Sequence, residues 1–272
     1  MLYPDSDRRI AEINRIASLF GDKGYVKTAS EITRFADMLK QETVPPDFLE
    51  RLDQLFDVLE IEFSERFPLG KDYRRRCYAE VKKLLFEAIG RMKQSFSQGI
   101  LEIYPCLAKI NHGRHINGDI ADEIRDRKLN DKIVFHLFCY AYLITVEGIF
   151  DELARVLYFL KVVKQSEIPK AEDLKRLKVR DILERFRSVP VFLENWEEKN
   201  HIRNAIAHAT AYFDSSKKEA RFVDEPSRYD KTMSLDQFAQ MALELEDSTA
   251  AFSYIMLLLK LYDFIQAENP FQ

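Results

Sequence analysis

The side chains of this sequence that are best suited to chemistry lie in one short segment, Ile202-Arg203-Asn204-Ala205-Ile206-Ala207-His208-Ala209. At a helical repeat of about 100° per residue, Asn204 and His208 lie one above the other on one face, with Arg203 one position round. His201 and Glu197 extend that face toward the start of the segment. Polar groups therefore converge on one strip of the predicted helix.

These side chains could cleave RNA by transesterification, in which the ribose 2′-oxygen attacks its own phosphodiester without a metal or a covalent enzyme intermediate. An imidazole can take or give a proton near neutral pH, because its unperturbed pKa is about 6.5. The planar guanidinium of Arg203 could bind two phosphate oxygens and stabilise the charge that grows in the transition state. Asn204 could orient either partner without titrating.

Two carboxylates in an apolar stretch are candidates to support this site. Glu147 lies among apolar residues, and Asp151 follows it one helical turn later. Because a buried acid needs a partner, we expect a cation to face Glu147, and Arg203 is the predicted partner by role. The alternative is that Glu147 faces a small solvent gap or another Lys or Arg. Glu147, Asp151 and His201 are thus the predicted supporting residues.

Candidate RNA contacts follow the motif as the basic residues Lys217, Lys218 and Arg221. The formal net charge of -4 and the pI of about 5.9 exclude the broad positive field of a non-specific nucleic-acid coat protein. Any contact with RNA must therefore be local. Each basic run in the sequence also fits a solvated helix face or turn.

The elements that would position these residues can be predicted from periodicity. The motif segment, from Val191 to Ala209, is predicted to be helical from its apolar spacing, and one long helix is predicted from about residue 130 to 163. Residues 210–213 and 219–223, joined by 214–218, predict a small hairpin or an extended excursion. Ser234 and Gln237 form a capping box that opens a final long helix.

The composition favours an all-α protein, an up-and-down bundle of long helices, since only 8 Gly and 9 Pro occur in 272 residues. A second capping box, Thr28 to Glu31, is predicted to open a helix near the N-terminus. The composition of residues 111–118 predicts a turn-rich connection. We place a domain boundary there, between an N-terminal helical region, 1–115, and a second helical domain, 116–272.

Other classes of protein and site fit the sequence less well. The stretch Ile133 to Phe150 approaches membrane-spanning length, but His136 and Glu147 interrupt it, which favours a buried central helix over a span. The polar N-terminus predicts no secretory signal. No phosphate-binding Gly-rich loop is present, and His112 with His115 lacks partners at ligand spacing, so neither a cofactor nor a metal is expected.

The cysteines point to a reducing compartment. They are odd in number, widely spaced and without a Cys-x-x-Cys pair, so they predict neither a disulfide framework nor a thiolate metal site. Their positions are Cys77, Cys106 and Cys139. We therefore expect a cytoplasmic protein that does not enter the membrane.

The motif resembles that of the HEPN superfamily (higher eukaryotes and prokaryotes nucleotide-binding domains). Its ribonuclease members carry Arg, a polar residue, three variable positions and His, filled here by Arg203, Asn204, Ala205-Ile206-Ala207 and His208. The order of a long apolar helix, a motif helix, a short extended excursion and a closing amphipathic helix is also similar. The resemblance covers about Asn130 to Ile265, and its sharp element is the six-residue motif.

This resemblance implies a homodimer in which two motif helices face each other and form one composite RNA-cleaving cleft, with Arg203, Asn204 and His208 as catalytic residues. It also implies a defence or toxin-antitoxin setting, with an antitoxin or a regulatory protein as a further partner. Some members of the superfamily have lost catalysis. The sequence thus leaves three functions open: a metal-independent endoribonuclease, a nucleic-acid or nucleotide-binding module that does not cut, and a helical interaction protein.

Overall fold

Helices make up most of the computed structural model of this chain, which describes residues 6–22, 24–39, 48–66, 71–92, 95–186, 190–245 and 249. The first helices are α1 (Ser6–Asp22), α2 (Val26–Leu39), α3 (Phe48–Arg66), α4 (Lys71–Met92) and α5 (Phe96–Asp126). The next are α6 (Asp131–Leu143), a π-helical turn (Ile144–Ile149), α7 (Phe150–Val162), α8 (Ala171–Arg176) and α9 (Val179–Arg185). A 3₁₀ turn (Val191–Leu193) then leads into α10 (Trp196–Ala207), and helix α11 spans residues 235–245.

A three-stranded antiparallel sheet lies between α10 and α11. Its strands are β1 (Ala211–Asp214), β2 (Glu219–Asp224) and β3 (Tyr229–Ser234), in the order β1-β2-β3, with a 3₁₀ turn (Glu225–Ser227) before β3. The predicted hairpin is confirmed as β1 and β2. The third strand was not predicted, because its sequence, Tyr-Asp-Lys-Thr-Met-Ser, buries only Met233 and so lacks an apolar alternation. The mainly helical class is confirmed, and the up-and-down bundle stays a prediction.

The predicted long helix is present as one continuous helix over residues 131–162. It begins where the Asn130 side chain accepts a hydrogen bond from the Ile133 N–H at 3.0 Å. In its middle, the N–H of Phe150 bonds to the carbonyl of Thr145, which is the wider spacing of a π turn. The turn adds a residue to the helix at the place where Glu147 occurs.

The turn-rich connection predicted at residues 111–118 is wrong, because α5 runs through it without a break. Gly113 is buried against Ile149 and Ile144 of the π turn, where it allows the two helices to approach closely. Asn117 is also buried, and its Nδ2 donates to Thr145 Oγ1 at 2.8 Å. Residues that usually form turns here form a helix contact. The division into 1–115 and 116–272 stays a prediction, without the loop on which it was based.

Carboxylates from neighbouring helices hold the starts of several helices. The predicted capping box at Thr28 is wrong, since α2 begins at Val26 and Glu62 of α3 accepts the N–H groups of Lys27 and Thr28, each at 2.8 Å. Glu102 likewise accepts the Ala171 N–H at the start of α8, at 2.8 Å. Long-range partners thus replace the local cap.

The capping box predicted before α11 is confirmed. The Ser234 N–H donates to Gln237 Oε1 at 2.9 Å, and the Gln237 N–H donates to Ser234 Oγ at 3.1 Å. Two backbone donors at the helix start are thereby satisfied reciprocally. The helix that this box opens is described only to residue 245, with residue 249 beyond it.

The helix over residues 131–162 is long and apolar enough to cross a membrane by length and composition alone. One helix of this kind is weak evidence, since the core helix of a soluble protein passes the same test. Its most apolar window is 39% buried inside the structure, and Phe135, Tyr142 and Phe150 belong to the core. These buried side chains fit a core helix, and the cytoplasmic location of the protein stays a prediction.

Gly113→Ala should destabilise the fold, because the added Cβ would lie 2.8 Å from Ile149 Cγ1. We expect the free energy of unfolding, measured by urea denaturation, to fall by about 1–3 kcal/mol. Gly118→Ala on the same helix is the matched control, since nothing lies within 4 Å of its Cβ position. It should stabilise by about 0.5–1 kcal/mol. Equal effects of the two substitutions would contradict the close helix contact.

Candidate functional site

The motif helix α10 is fixed at its start by a buried lysine. The Lys199 ammonium donates to the carbonyls of Phe192, at 3.0 Å, and Glu194, and it lies 5.7 Å from the centroid of the Phe150 ring. The Tyr142 hydroxyl in turn donates to the Lys199 carbonyl at 3.1 Å. Burial lowers the pKa of Lys199 to about 8. The helix therefore enters the site from a rigid, desolvated anchor.

His208 lies in an exposed turn immediately after the last residue of α10. Its N–H still donates to the Asn204 carbonyl at 2.9 Å, so the helical repeat reaches it. The N–H groups of Ala209 and Thr210 return to the carbonyls of Ile206 and Ala205, and Ala209 has a φ of 57°. This pattern is a Schellman turn, in which the left-handed position is usually Gly. The helix predicted to reach Ala209 therefore ends at Ala207.

Arg203 points away from the sheet, toward the central helix, residues 131–162. Its Nη1 donates to Glu147 Oε1 at 3.2 Å, and its Nη2 donates to Asn200 Oδ1. The predicted pairing of Glu147 with Arg203 is confirmed. The expectation that Glu147 is buried is wrong, because its side chain is 50% exposed on the outer side of the π turn. The Arg203 side chain is 31% exposed and can still be reached by a ligand.

Asp151 lies one turn beyond Glu147 but pairs with a different arginine. Its Oδ2 is 3.5 Å from Arg155 Nη2, and burial raises its pKa. Asp151 and Glu147 both line a groove of about 860 Å³ between α5 and the central helix, together with Tyr140 and Ile144. The two predicted supporting carboxylates therefore share a groove, and only Glu147 contacts the motif arginine directly.

Asn204 and His201 point to the other side of α10, where both contact Asp224 at the end of β2. The Asn204 Nδ2 donates to Asp224 Oδ2 at 3.1 Å, and His201 Nδ1 lies 2.8 Å from the same oxygen. Asp224 is only 5% exposed, and the hydrogen bonds from His201 and then Asn204 hold its pKa below the usual range. The His201 ring stacks on Tyr229, with centroids 4.9 Å apart.

Asp224 is the residue of this site that was not predicted from the sequence. It lies twenty positions after Asn204, at the end of a short strand and just before a 3₁₀ turn. An aspartate in that setting has the pattern of an ordinary turn residue. Only the antiparallel pairing of β1 and β2, which folds the hairpin back onto α10, brings it to the motif.

The predicted RNA contacts lie on the hairpin, and two of them hold carboxylates. Lys218 Nζ is 3.2 Å from Asp131 Oδ2 at the start of α6. Arg221 pairs with Asp230 on β3, and this pairing raises the pKa of Arg221. Lys217 is exposed in the turn between β1 and β2. RNA would have to share these two cations with their acidic partners.

The remaining candidate groups lie apart from the motif. The three cysteines are free and buried, and burial raises the pKa of each thiol to about 12; they are Cys77, Cys106 and Cys139. His112 and His115 are exposed on α5. In the part of the chain that the structure describes, no group of three or more His, Cys, Asp or Glu side chains is arranged to hold a metal ion.

Comparisons of the chain with protein-family models, with curated proteins and with solved structures found no match.

Replacing Lys199 by Met should change how stability depends on pH. Because the folded pKa of about 8 lies below the ordinary lysine value, the native state binds fewer protons than the unfolded state between about pH 8 and about pH 10.5. The free energy of unfolding of the wild type should therefore rise relative to that of Lys199→Met across this window, by on the order of 3 kcal/mol.

Urea unfolding of both proteins at about pH 7.5 and at about pH 10.5 measures this difference, since groups common to both cancel. Lys175→Met, which removes an exposed lysine from α8, controls for the loss of a charge. A wild-type minus variant difference that stays constant or falls as the pH rises would contradict the buried, desolvated lysine.

Proposed function

We propose that this chain is an endoribonuclease of the HEPN type, which cleaves RNA by attack of the 2′-oxygen and needs no metal ion for this step. The observation that carries the proposal is the placement of the motif side chains. His208 is exposed in the turn that ends α10, and the accessible Arg203, five positions earlier, is held by Glu147 and Asn200. A proton-transfer group and a phosphate-binding group thus belong to the last turns of one helix.

Each motif residue has a separate role in this proposal. The imidazole of His208 exchanges a proton with the reacting oxygens. The guanidinium of Arg203 binds the phosphate through the N–H donors that do not bond to Glu147 or Asn200. Asn204 donates to the buried Asp224, so it holds the motif helix against the sheet instead of contacting RNA. The cations on the hairpin extend the RNA path beyond the reacting phosphate.

The proposal includes a homodimer with a composite cleft in the cytoplasm. Ile133 is 44% exposed and Tyr140 is 54% exposed on α6, the helix that packs beside α10, and these apolar groups support a self-association surface there. A two-fold axis would double the catalytic groups facing one RNA. A toxin-antitoxin or defence setting, with an antitoxin or regulator that blocks the cleft, is the biological context that we propose.

One observation favours a second candidate function, a binding or interaction module that does not cut. The ion pair with Glu147 at 3.2 Å neutralises the charge of Arg203 that phosphate binding would use. In a protein that only binds, this pair would serve to fix α10 on the π turn. The two functions differ in whether RNA is cleaved.

Incubation of the purified chain with mixed RNA, with and without a chelator, tests the first proposal. We expect cleavage that survives the chelator and leaves 2′,3′-cyclic phosphate ends. His208→Ala and Arg203→Ala should each lower the rate by about 10²- to 10⁴-fold. His115→Ala, which removes an exposed histidine of α5, is the matched control and should cleave normally. Cleavage that requires added metal, or that ignores His208, would overturn the mechanism.

Glu147→Gln should strengthen RNA binding, because it removes the negative charge that competes with phosphate for Arg203. In the His208→Ala background, which makes cleavage slow enough to measure binding, we expect the Kd for RNA to fall about two- to fivefold at low salt. The effect should fade as the salt concentration rises.

Glu184→Gln is the matched control for this charge change, since it frees Arg180 from a similar exposed pair on α9. It should leave the Kd for RNA nearly unchanged. Weaker binding by Glu147→Gln would show that the carboxylate orients Arg203 for RNA and does not compete with it.

A further inference from the structure

His201 and Asp224 form a hydrogen-bonded pair whose geometry is that of a proton-transfer group and the carboxylate that orients it. The His201 Nδ1 is 2.8 Å from Asp224 Oδ2, and the carboxylate is almost completely buried. Because hydrogen bonds to the charged form hold the pKa of Asp224 low, the carboxylate is ionised at neutral pH and Nδ1 is the donor. The lone pair of the neutral imidazole is then on Nε2.

The Nε2 atom of His201 lies on the side of the ring that faces a solvent-exposed carboxylate. Its nearest charged neighbour there is Glu197 Oε1, at 4.0 Å, and the Glu197 side chain is 93% exposed. Tyr229 stacks on the ring at 4.9 Å and fixes its plane. The other charged groups nearby, Glu198 and Lys231, pair with each other. The His201 side chain keeps 19% of its surface exposed.

We infer that His201, oriented by Asp224, is the general base of the proposed cleavage reaction, and that His208 of the same chain is the general acid. This inference rests on the proposed function. It goes beyond it by assigning a second proton-transfer residue and the carboxylate that positions it. The hydrogen bond from Asn204 to Asp224 already links α10 to β2. The second hydrogen bond, from His201 to Asp224, sets the tautomer of an accessible imidazole.

The spacing of the two histidines on α10 fits this division of roles. They are seven positions apart, which is about two helical turns or about 10.5 Å along the axis, and the repeat of about 100° keeps them near one face. The two reacting oxygens lie on opposite sides of the phosphorus, and each needs a hydrogen bond of about 2.8 Å to its proton-transfer partner. The rise of the helix between the two positions therefore suits one phosphodiester.

In this reaction, the neutral Nε2 of His201 accepts the proton of the 2′-hydroxyl as the 2′-oxygen attacks phosphorus. The bond between phosphorus and the 5′-oxygen breaks, and the 5′-oxygen takes a proton from the protonated His208. The products are a 2′,3′-cyclic phosphate and a 5′-hydroxyl. Asp224 stabilises the imidazolium that forms on His201 without itself accepting the proton. A water molecule can return the two histidines to their starting states by hydrolysing the cyclic phosphate or by proton exchange.

Two conservative variants separate catalysis from structure. Asp224→Asn can keep an acceptor oxygen toward His201 and Asn204 while it removes the negative charge. His201→Asn keeps a donor near the position of Nδ1 and removes the titrating nitrogen. Both should fold, which thermal unfolding and circular dichroism verify. His115→Asn, at an exposed position of α5, is the matched control.

We expect His201→Asn to slow RNA cleavage by about 10²-fold or more and to abolish the acidic limb of the pH profile of kcat/KM. Asp224→Asn should slow cleavage by about tenfold or more, because the imidazolium loses its counter-charge. Normal rates and an unchanged pH profile in both variants would overturn the inference and leave Asp224 as a structural link.

Mixing inactive His201→Asn and His208→Ala chains tests whether both histidines must belong to one chain. We expect no recovery of cleavage, since each chain then lacks one group. Recovery would show that the two groups come from different protomers and would overturn the assignment to one chain.

Two results distinguish failure of this inference from failure of the proposed function. A wild type that does not cleave RNA overturns both. Cleavage that needs His208 but not His201 overturns only the inference. Nitrogen-15 NMR gives a readout independent of activity: neutral His201 should carry its proton on Nδ1, and Asp224→Ala should abolish this preference. The opposite tautomer in the wild type would overturn the pairing.

Discussion

Burial of the central helix, residues 131–162, is the constraint on which the other elements depend. Near one end, Phe135 contacts Phe213, Phe222 and Phe238, so the sheet and α11 assemble against the same ring. Further along, Phe150 packs edge-on against Phe192, 5.5 Å away, where the chain enters α10. Each such ring stabilises the fold by about 1.5–3 kcal/mol when it leaves water. The motif helix is therefore held at both ends by one apolar surface.

Polar contacts then decide how the chain enters and leaves this apolar surface. Glu80 of α4 accepts the Val191 N–H at 2.8 Å, and Lys199 donates to the carbonyls of Phe192 and Glu194. At the other end of α10, Asp224 joins the helix to β2. These buried groups are costly to leave unpaired, so each one fixes the position of its partner. These buried polar contacts therefore fix the position of the candidate site.

The parts of the fold that follow from local periodicity could be predicted from the sequence. These are the central helix, the motif helix, the first hairpin and the capping box at Ser234. The predictions that failed involve partners far away in the chain. Gly113 and Asn117 have the composition of a turn, but their burial against the π turn keeps α5 helical. Glu62 similarly replaces the local cap that Thr28 was expected to provide.

The candidate site was predictable to a similar extent. The motif residues and the pairing of Glu147 with Arg203 could be inferred from residue types, since an exposed face and an acid in an apolar stretch are visible in the sequence. Asp224 could not, because only the register of the hairpin brings it near Asn204. The split of the motif, with Arg203 toward the central helix and Asn204 toward the sheet, also depends on tertiary packing.

The π turn lets a single helix serve two differently placed packing surfaces. Before the turn, Phe135 and Tyr142 face the sheet side, and after it Leu153 and Leu157 belong to the core shared with α4, α5 and α9. One additional residue in a helix of about 3.6 residues per turn rotates everything beyond it by about 100°. The inserted residue thus sets the rotation of the second half of the helix relative to the first. If one residue were deleted here, the helix would be regular. The residues before and after the turn could then not both face their present packing surfaces.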